Sequence, residues 1–136
     1  MLTLKDKYIV FDIETDGLLD TTKRFWCGWL YDSYTDLYTG YTDLNEFFDA
    51  LNKYGTSGYN IVGHNICKFD IPALKKLKGE RFAFDVRDVC IDTLVLARLV
   101  YANIKDTDIG LMKSGRLPKK LYGSHSLKAY GYRMGE

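Results

Sequence analysis

The first clear pattern along the chain is Tyr8-Ile9-Val10-Phe11, an apolar β-forming run that leads straight into Asp12-Ile13-Glu14 and then a turn at Gly17. It predicts a central strand that ends in carboxylates. Two further strands are predicted at about Phe25–Tyr31 and Leu37–Tyr41, joined through the polar Asp32-Ser33-Tyr34-Thr35-Asp36 as a hairpin of an antiparallel meander. The period then changes. Asp43 with Glu46 three residues on is a helix-start signature, and Leu44, Phe47, Phe48 and Leu51 take the i, i+3, i+4, i+7 spacing of one buried face.

Gly55-Thr56-Ser57-Gly58 stops that helix, and Tyr59-Asn60-Ile61-Val62-Gly63 reads as a short, fully buried strand before the polar His64-Asn65. A second helix follows with Pro72 in its first turn, Ala73, Leu74 and Leu77 toward the sheet, and Lys75, Lys76 and Lys78 toward water. A fifth strand is predicted at about Val89–Asp92. It runs into a helix over Thr93–Tyr101, with Asp92 near the cap and Leu94, Leu96, Ala97, Leu99 and Val100 supplying apolar area. From Asn103 to Gly123 the periodicity dissolves, which predicts a long basic loop. A last short helix is expected from a Ser124 cap through Tyr130, ending at Gly131. The order βββαβαβα, a meander followed by crossover helices, predicts an α/β protein with a mixed five-stranded sheet and helices on both faces.

Composition supports one folded domain over 1–136. The 136 residues are 46% hydrophobic and 15% aromatic with only two prolines, enough for a real core and too few residues for two such domains. No apolar run approaches the length of a membrane span, and the N-terminus lacks a signal-peptide pattern. Cys27, Cys67 and Cys90 are odd in number and widely spaced, which fits a reducing cytoplasm better than a disulfide framework or a zinc ribbon. The formal net charge of +1 hides an asymmetry: five Lys/Arg against ten Asp/Glu in 1–60, and fourteen against eight in 61–136. The basic stretch 111–136, with Lys113, Arg116, Lys119, Lys120, Lys128 and Arg133 against the single Glu136, could hold phosphates or be a solvated face.

The candidate chemistry lies in two segments. Asp12 and Glu14, two apart on a strand, leave the same face with roughly 7 Å between Cα atoms. They repel unless a cation intervenes, and hard divalent ions take carboxylate oxygen; a solvated turn is the plainer alternative. In Gly63-His64-Asn65-Ile66-Cys67-Lys68-Phe69-Asp70 a second carboxylate follows a buried strand at a helix start, beside Asn65 and with Phe69 as an apolar wall, or else simply caps its own helix. His64 is assigned no role, and Cys67 reads as a packing residue.

Together the two segments resemble a known family. Phe11-Asp12-Ile13-Glu14-Thr15-Asp16-Gly17-Leu18 looks like the first motif, and Asn65-Ile66-Cys67-Lys68-Phe69-Asp70 the second, of the DEDD 3′–5′ exonucleases with a ribonuclease H-like fold. Cys90 to Leu99, Lys105 to Leu111 and Gly123-Ser124-His125 further resemble the proofreading domain of T-seven-like phage family A DNA polymerases. The resemblance implies hydrolysis of the terminal phosphodiester at a DNA 3′ end with two divalent cations, Mg2+ or Mn2+. By motif position it implies that Asp12 bridges both ions, that Glu14 binds one and helps orient the water, and that Asp70 completes the second ion's shell. Asn65 would support Asp70 or the substrate strand. Leu18 would wedge against terminal bases, Phe69 would wall that pocket, and Thr15 would lie beside the substrate. Lys113, Arg116, Lys119 and Lys120 are the candidates for facing DNA.

The third motif of that family, a Tyr or His ahead of the last metal-binding Asp on a C-terminal helix, is not found. Tyr132 to Glu136 has a similar spacing but follows directly on Ala129-Tyr130-Gly131, a segment that lies well ahead of the motif in the phage polymerases. The expectation is therefore a domain incomplete at its C-terminus, from a split or truncated polymerase in a phage-infected or prophage-carrying cell. Its expected partners are a frayed or single-stranded DNA 3′ end and either a polymerase domain, a companion chain supplying the missing helix, or a second copy. A catalytically inactive module that binds DNA, a polymerase or a host protein is the alternative, and an RNA-directed exonuclease a third.

Overall fold

The structure is a computed structural model in which residue 2 and residues 4–136 are described. The chain forms two compact units, Met1–Asp92 and Thr93–Glu136.

The first unit is built on a five-stranded sheet in the order β3-β2-β1-β4-β5. Its strands are β1 (Tyr8–Thr15), β2 (Phe25–Asp32), β3 (Leu37–Tyr41), β4 (Asn60–Gly63) and β5 (Cys90–Asp92). The meander β1-β2-β3 is antiparallel, and β4 and β5 add in parallel beside β1, which gives the mixed sheet of a ribonuclease H-like arrangement. The helices are α1 (Leu44–Thr56), α2 (Asp70–Lys78) and the four-residue α3 (Val86–Val89). Asp43 caps α1 by accepting the N–H groups of Asn45 and Glu46, and Gly79 ends α2 in the left-handed conformation.

Strict alternation on β1 sends Ile9, Phe11 and Ile13 to one face, where Phe47, Phe48 and Leu51 of α1 meet them. Phe47 is the hub of this core: the rings of Phe11, Phe25 and Tyr41 surround it at 5.4–6.1 Å between centroids. A Cβ on Gly28 would come within 2.8 Å of the Phe47 ring, so the absent side chain in β2 is what lets the helix approach. The opposite face of β1 carries Tyr8, Val10, Asp12 and Glu14, all exposed, so within this unit α1 covers only one side of the sheet.

The second unit contains α4 (Thr93–Val100), α5 (Ile104–Lys113), a 3-10 turn (Lys119–Leu121) and α6 (Leu127–Met134). Two expectations are corrected here. The segment 103–123 is no loop: α5 fills half of it. The helix has no apolar stripe to betray it, because it buries only Ile104 and Asp108. α6 is capped by Ser126 rather than Ser124 and passes through Gly131 to end at Gly135, which takes the left-handed conformation. Its far end is held by Arg133, whose guanidinium grips the fully buried Asp108 through Nε to Oδ1 and Nη2 to Oδ2, each at 2.8 Å. The apolar residues of α4 remain largely uncovered, with Leu99 and Val100 both more than half exposed. Among the described residues no helix is long and apolar enough to cross a membrane, and the three cysteines are free thiols.

Candidate metal centre

The carboxylates collect where the parallel strands β1, β4 and β5 run out. In open α/β sheets the crevice beyond the carboxyl ends of such strands is the usual ligand site. Asp12 stands in register with Trp29, and Glu14 with Cys27. The β1-β2 ladder then slips between Glu14 and Thr15, an irregularity of the kind that re-aims side chains at the rim of a sheet.

Asp70 comes to this corner from the other side, as the first residue of α2, and is only 4% exposed. Burial pushes its carboxyl up to about 7, and the neighbouring charges of Asp12 and then Asp92 push the same way against the pull of its own and the Ile13 backbone N–H. Its Oδ2 atom is buried and accepts no hydrogen bond. A carboxylate in that position is costly unless it is protonated or meets a cation. Asp12 and Asp70 thus offer oxygen donors of the kind hard divalent ions take, and the orphaned oxygen fits such an ion. Among the described residues, no three His, Cys, Asp or Glu side chains converge as a ready-made metal cage.

A residue outside the expected set organises this corner. Asp92, 7% exposed at the end of β5, accepts the N–H of Asn65 through Oδ1 at 2.9 Å and that of Cys67 through Oδ2 at 3.0 Å. Asn65 is left-handed at φ +62°, a conformation that Asn tolerates better than most residues. The Cys67 side chain is exposed rather than packed; the residue contributes here through its backbone. Gly63 precedes this turn, and a Cβ there would fall 2.3 Å from Ile66 Cγ2 and 3.1 Å from the Phe11 carbonyl oxygen. Ile66 is fully buried and Phe69 packs half-buried against the core, so residues 63–69 are fastened at both ends before the chain enters α2 at Asp70.

The other expected residues divide. Thr15 turns inward, its hydroxyl donating to the Gly17 carbonyl at 2.9 Å. Leu18 is 78% exposed on a loop that Asp16 holds shut: one Asp16 oxygen accepts the Thr22 hydroxyl and the N–H groups of Lys23 and Arg24 at 2.8–2.9 Å. Those backbone donors hold the Asp16 carboxyl down at about 2. Lys76 of α2 ties the same loop by donating to the carbonyls of Leu19 and Asp20. Lys113, Arg116, Lys119 and Lys120 are exposed and belong to the second unit.

A mixed α/β sheet with acidic side chains at the carboxyl ends of its parallel strands is the class this geometry defines. Sequence comparison narrows it. The chain is 47% identical over 133 residues to the DNA-directed DNA polymerase of Escherichia phage T7, and 46% identical over 134 residues to that of Enterobacteria phage T3. Each match takes in 94% of this chain and 19% of the relative, so the chain spans about a fifth of the length of the curated relatives it matches. No family model matches the sequence. The protein is related to one segment of these phage DNA polymerases.

Proposed function

We propose that the chain is the 3′–5′ exonuclease domain, or a split or truncated form of it, of a phage DNA polymerase, and that it hydrolyses 3′-terminal phosphodiesters of DNA. The observation that carries this reading is the buried, unpartnered Oδ2 of Asp70 beside the charge of Asp12 on β1. In its charged form a carboxylate there is costly, and a cation in the corner would offset that cost.

Asp12, Glu14 and Asp70 would hold two divalent cations, Mg2+ or Mn2+. The chemistry supplied by such ions is activation of a water and charge stabilisation on the leaving 3′ oxygen. The protein's own contributions are simpler. Asp12 and Glu14 ride on a rigid strand, Asp70 is fixed by the first turn of α2, and Leu18 projects from a braced loop toward solvent, available to wedge against an unstacked terminal base. Lys113, Arg116, Lys119 and Lys120 would meet phosphates. A polymerase domain, companion chain or second copy would complete the catalytic set.

A second reading is favoured by one observation, the lack of three converging metal-binding side chains among the described residues. On that reading the chain binds DNA or a polymerase without cutting.

One experiment separates them: nucleotide release from a 3′-labelled single-stranded DNA oligonucleotide in Mg2+ and in Mn2+, for the chain and for Asp12→Ala. Metal-dependent trimming that is lost in the variant supports the nuclease. Retained DNA binding without trimming, in both metals and with the matching polymerase segment added, overturns it in favour of the binding module.

A further inference from the structure

We infer that Asp92 is the positioning residue of the metal corner: it fixes the backbone of residues 65–67 and thereby the place of the Asp70 carboxylate. The inference rests on the metal reading of Asp12 and Asp70 proposed above.

Three observations converge on it. The first is the fork itself. Both carboxylate oxygens of one buried side chain are used on two backbone donors two residues apart, Asn65 N–H and Cys67 N–H, from 27 and 25 residues away in sequence. Charge-assisted bonds to backbone N–H groups are stronger than neutral ones, and a bidentate pair sets direction as well as distance. The second is the backbone that the fork grips. Asn65 is left-handed, and the following turn reaches directly into α2, where the Phe69 N–H donates to the Asn65 carbonyl at 3.1 Å and the Ile71 N–H to the Ile66 carbonyl at 2.9 Å. A shift at 65–67 is therefore passed through those two bonds to the residue between them, Asp70. The third is what lies on the other side of the fork. Gly63 and Asp92 are register partners of β4 and β5, so the strand that launches the turn and the strand that holds it are locked side by side.

Capping α4 would call only for N–H donors at the start of that helix, whereas this carboxylate also takes the N–H groups of Asn65 and Cys67. Those two bonds reach the turn that leads into Asp70, which is what a support for Asp70 requires. Misplacement of a ligand by about an ångström is enough to weaken a metal site, and partners behind the ligands are worth roughly 10–100-fold in affinity.

The test needs no catalysis. In the unaltered chain, saturating Mg2+ should slow amide exchange at Asn65 and Cys67 by at least tenfold, because a metal that needs the ordered turn must in return stabilise it. In Asp92→Asn, which keeps size but leaves only one acceptor oxygen, those two amides should exchange faster without metal, while Ile9 and Phe11 amides of β1 should not change. Calorimetric affinity for Mn2+ should fall about tenfold or more. Unchanged exchange at Asn65 and Cys67 on adding Mg2+ to a chain that does bind it overturns the positioning role, as does Asp92→Asn with wild-type Mn2+ affinity. Mn2+ affinity that is the same in Asp70→Asn as in the unaltered chain instead overturns the metal reading, and the inference with it. The first measurement uses only the unaltered protein, so failure of the variant to fold leaves the decision intact.

Discussion

Asp108 and Arg133 meet through two parallel hydrogen bonds of 2.8 Å, and neither side chain is more than 8% exposed. Arg133 also donates to the Ser124 carbonyl, and Asp108 accepts the Gly123 N–H, so one ion pair ties α5, α6 and the turn between them. Removing one partner leaves the other buried without an opposite charge, held only by its neutral backbone contact. Asp108→Ala should therefore cost about 3–5 kcal/mol in the second unit, read by urea denaturation of helical ellipticity. The Arg133 guanidinium holds the Asp108 carboxyl below its ordinary value, so this contribution is present above about pH 4 and is lost as pH falls through the lowered folded value. Asp108→Ala should remove that acid sensitivity along with the stability.

Asp70 behaves oppositely. Its carboxyl ordinarily titrates at 3.8 and is raised to about 7 in the fold, so the folded chain holds its proton more tightly than the unfolded chain. Without metal, ionising it weakens the fold as pH rises from about 4 through about 7. Asp70→Asn should stabilise the fold above pH 7 by up to roughly 4 kcal/mol, read as a higher melting temperature, with the gain vanishing below pH 4. Added Mg2+ should stabilise the wild type and leave the variant unmoved.

The close approach at Gly63 predicts a distinct failure. Gly63→Ala forces a methyl group to within 2.3 Å of Ile66 and against the Phe11 carbonyl. A loss of about 1–3 kcal/mol is expected from overpacking. The shift should fall on Ile66 and the following turn, so amides 65–67 should lose protection while those of α1 keep theirs.

Leu18 depends on Asp16. Asp16→Ala takes away the acceptor for Thr22, Lys23 and Arg24 together and should leave residues 17–24 fast-exchanging with little change in melting temperature. If Leu18 engages terminal bases, Asp16→Ala and Leu18→Ala should weaken binding of a single-stranded DNA 3′ end to similar extents. A large effect of Leu18→Ala alone would detach the brace from the contact.

The first unit was legible where local signals agree with burial. On β1 the alternation of Ile9, Phe11 and Ile13 with Val10, Asp12 and Glu14 is the same in sequence and structure, and Asp43 caps α1 as its spacing predicts. α5 was illegible because what holds it is a charge pair 25 residues apart, and a run such as Lys105-Asp106-Thr107-Asp108 looks like loop until Arg133 is seen to claim Asp108. The position of Asp92 ahead of Thr93 offers a local explanation that hides the long-range one. The clue that could have exposed it is that an acidic residue closing a buried strand needs donors, and the turn after Gly63 supplies two. Of the candidate site, Asp12, Glu14 and Asp70 stand out in the sequence through their motifs, whereas Asp92 holds the turn at 65–67 through backbone groups, which leave no trace in residue type.

The outer strand of the sheet has a consequence for handling the protein. β3 reads Leu37-Tyr38-Thr39-Gly40-Tyr41, and it pairs on one side only, with β2. It carries no Lys, no Pro and no bulge, and Leu37 and Tyr38 are 62% and 75% exposed. Natural sheets usually guard such a border, since a bare ladder of N–H and C=O groups is a template for another strand. Concentrated solutions should therefore join border to border, and a single lysine at Thr39 is the economical way to keep the chains apart.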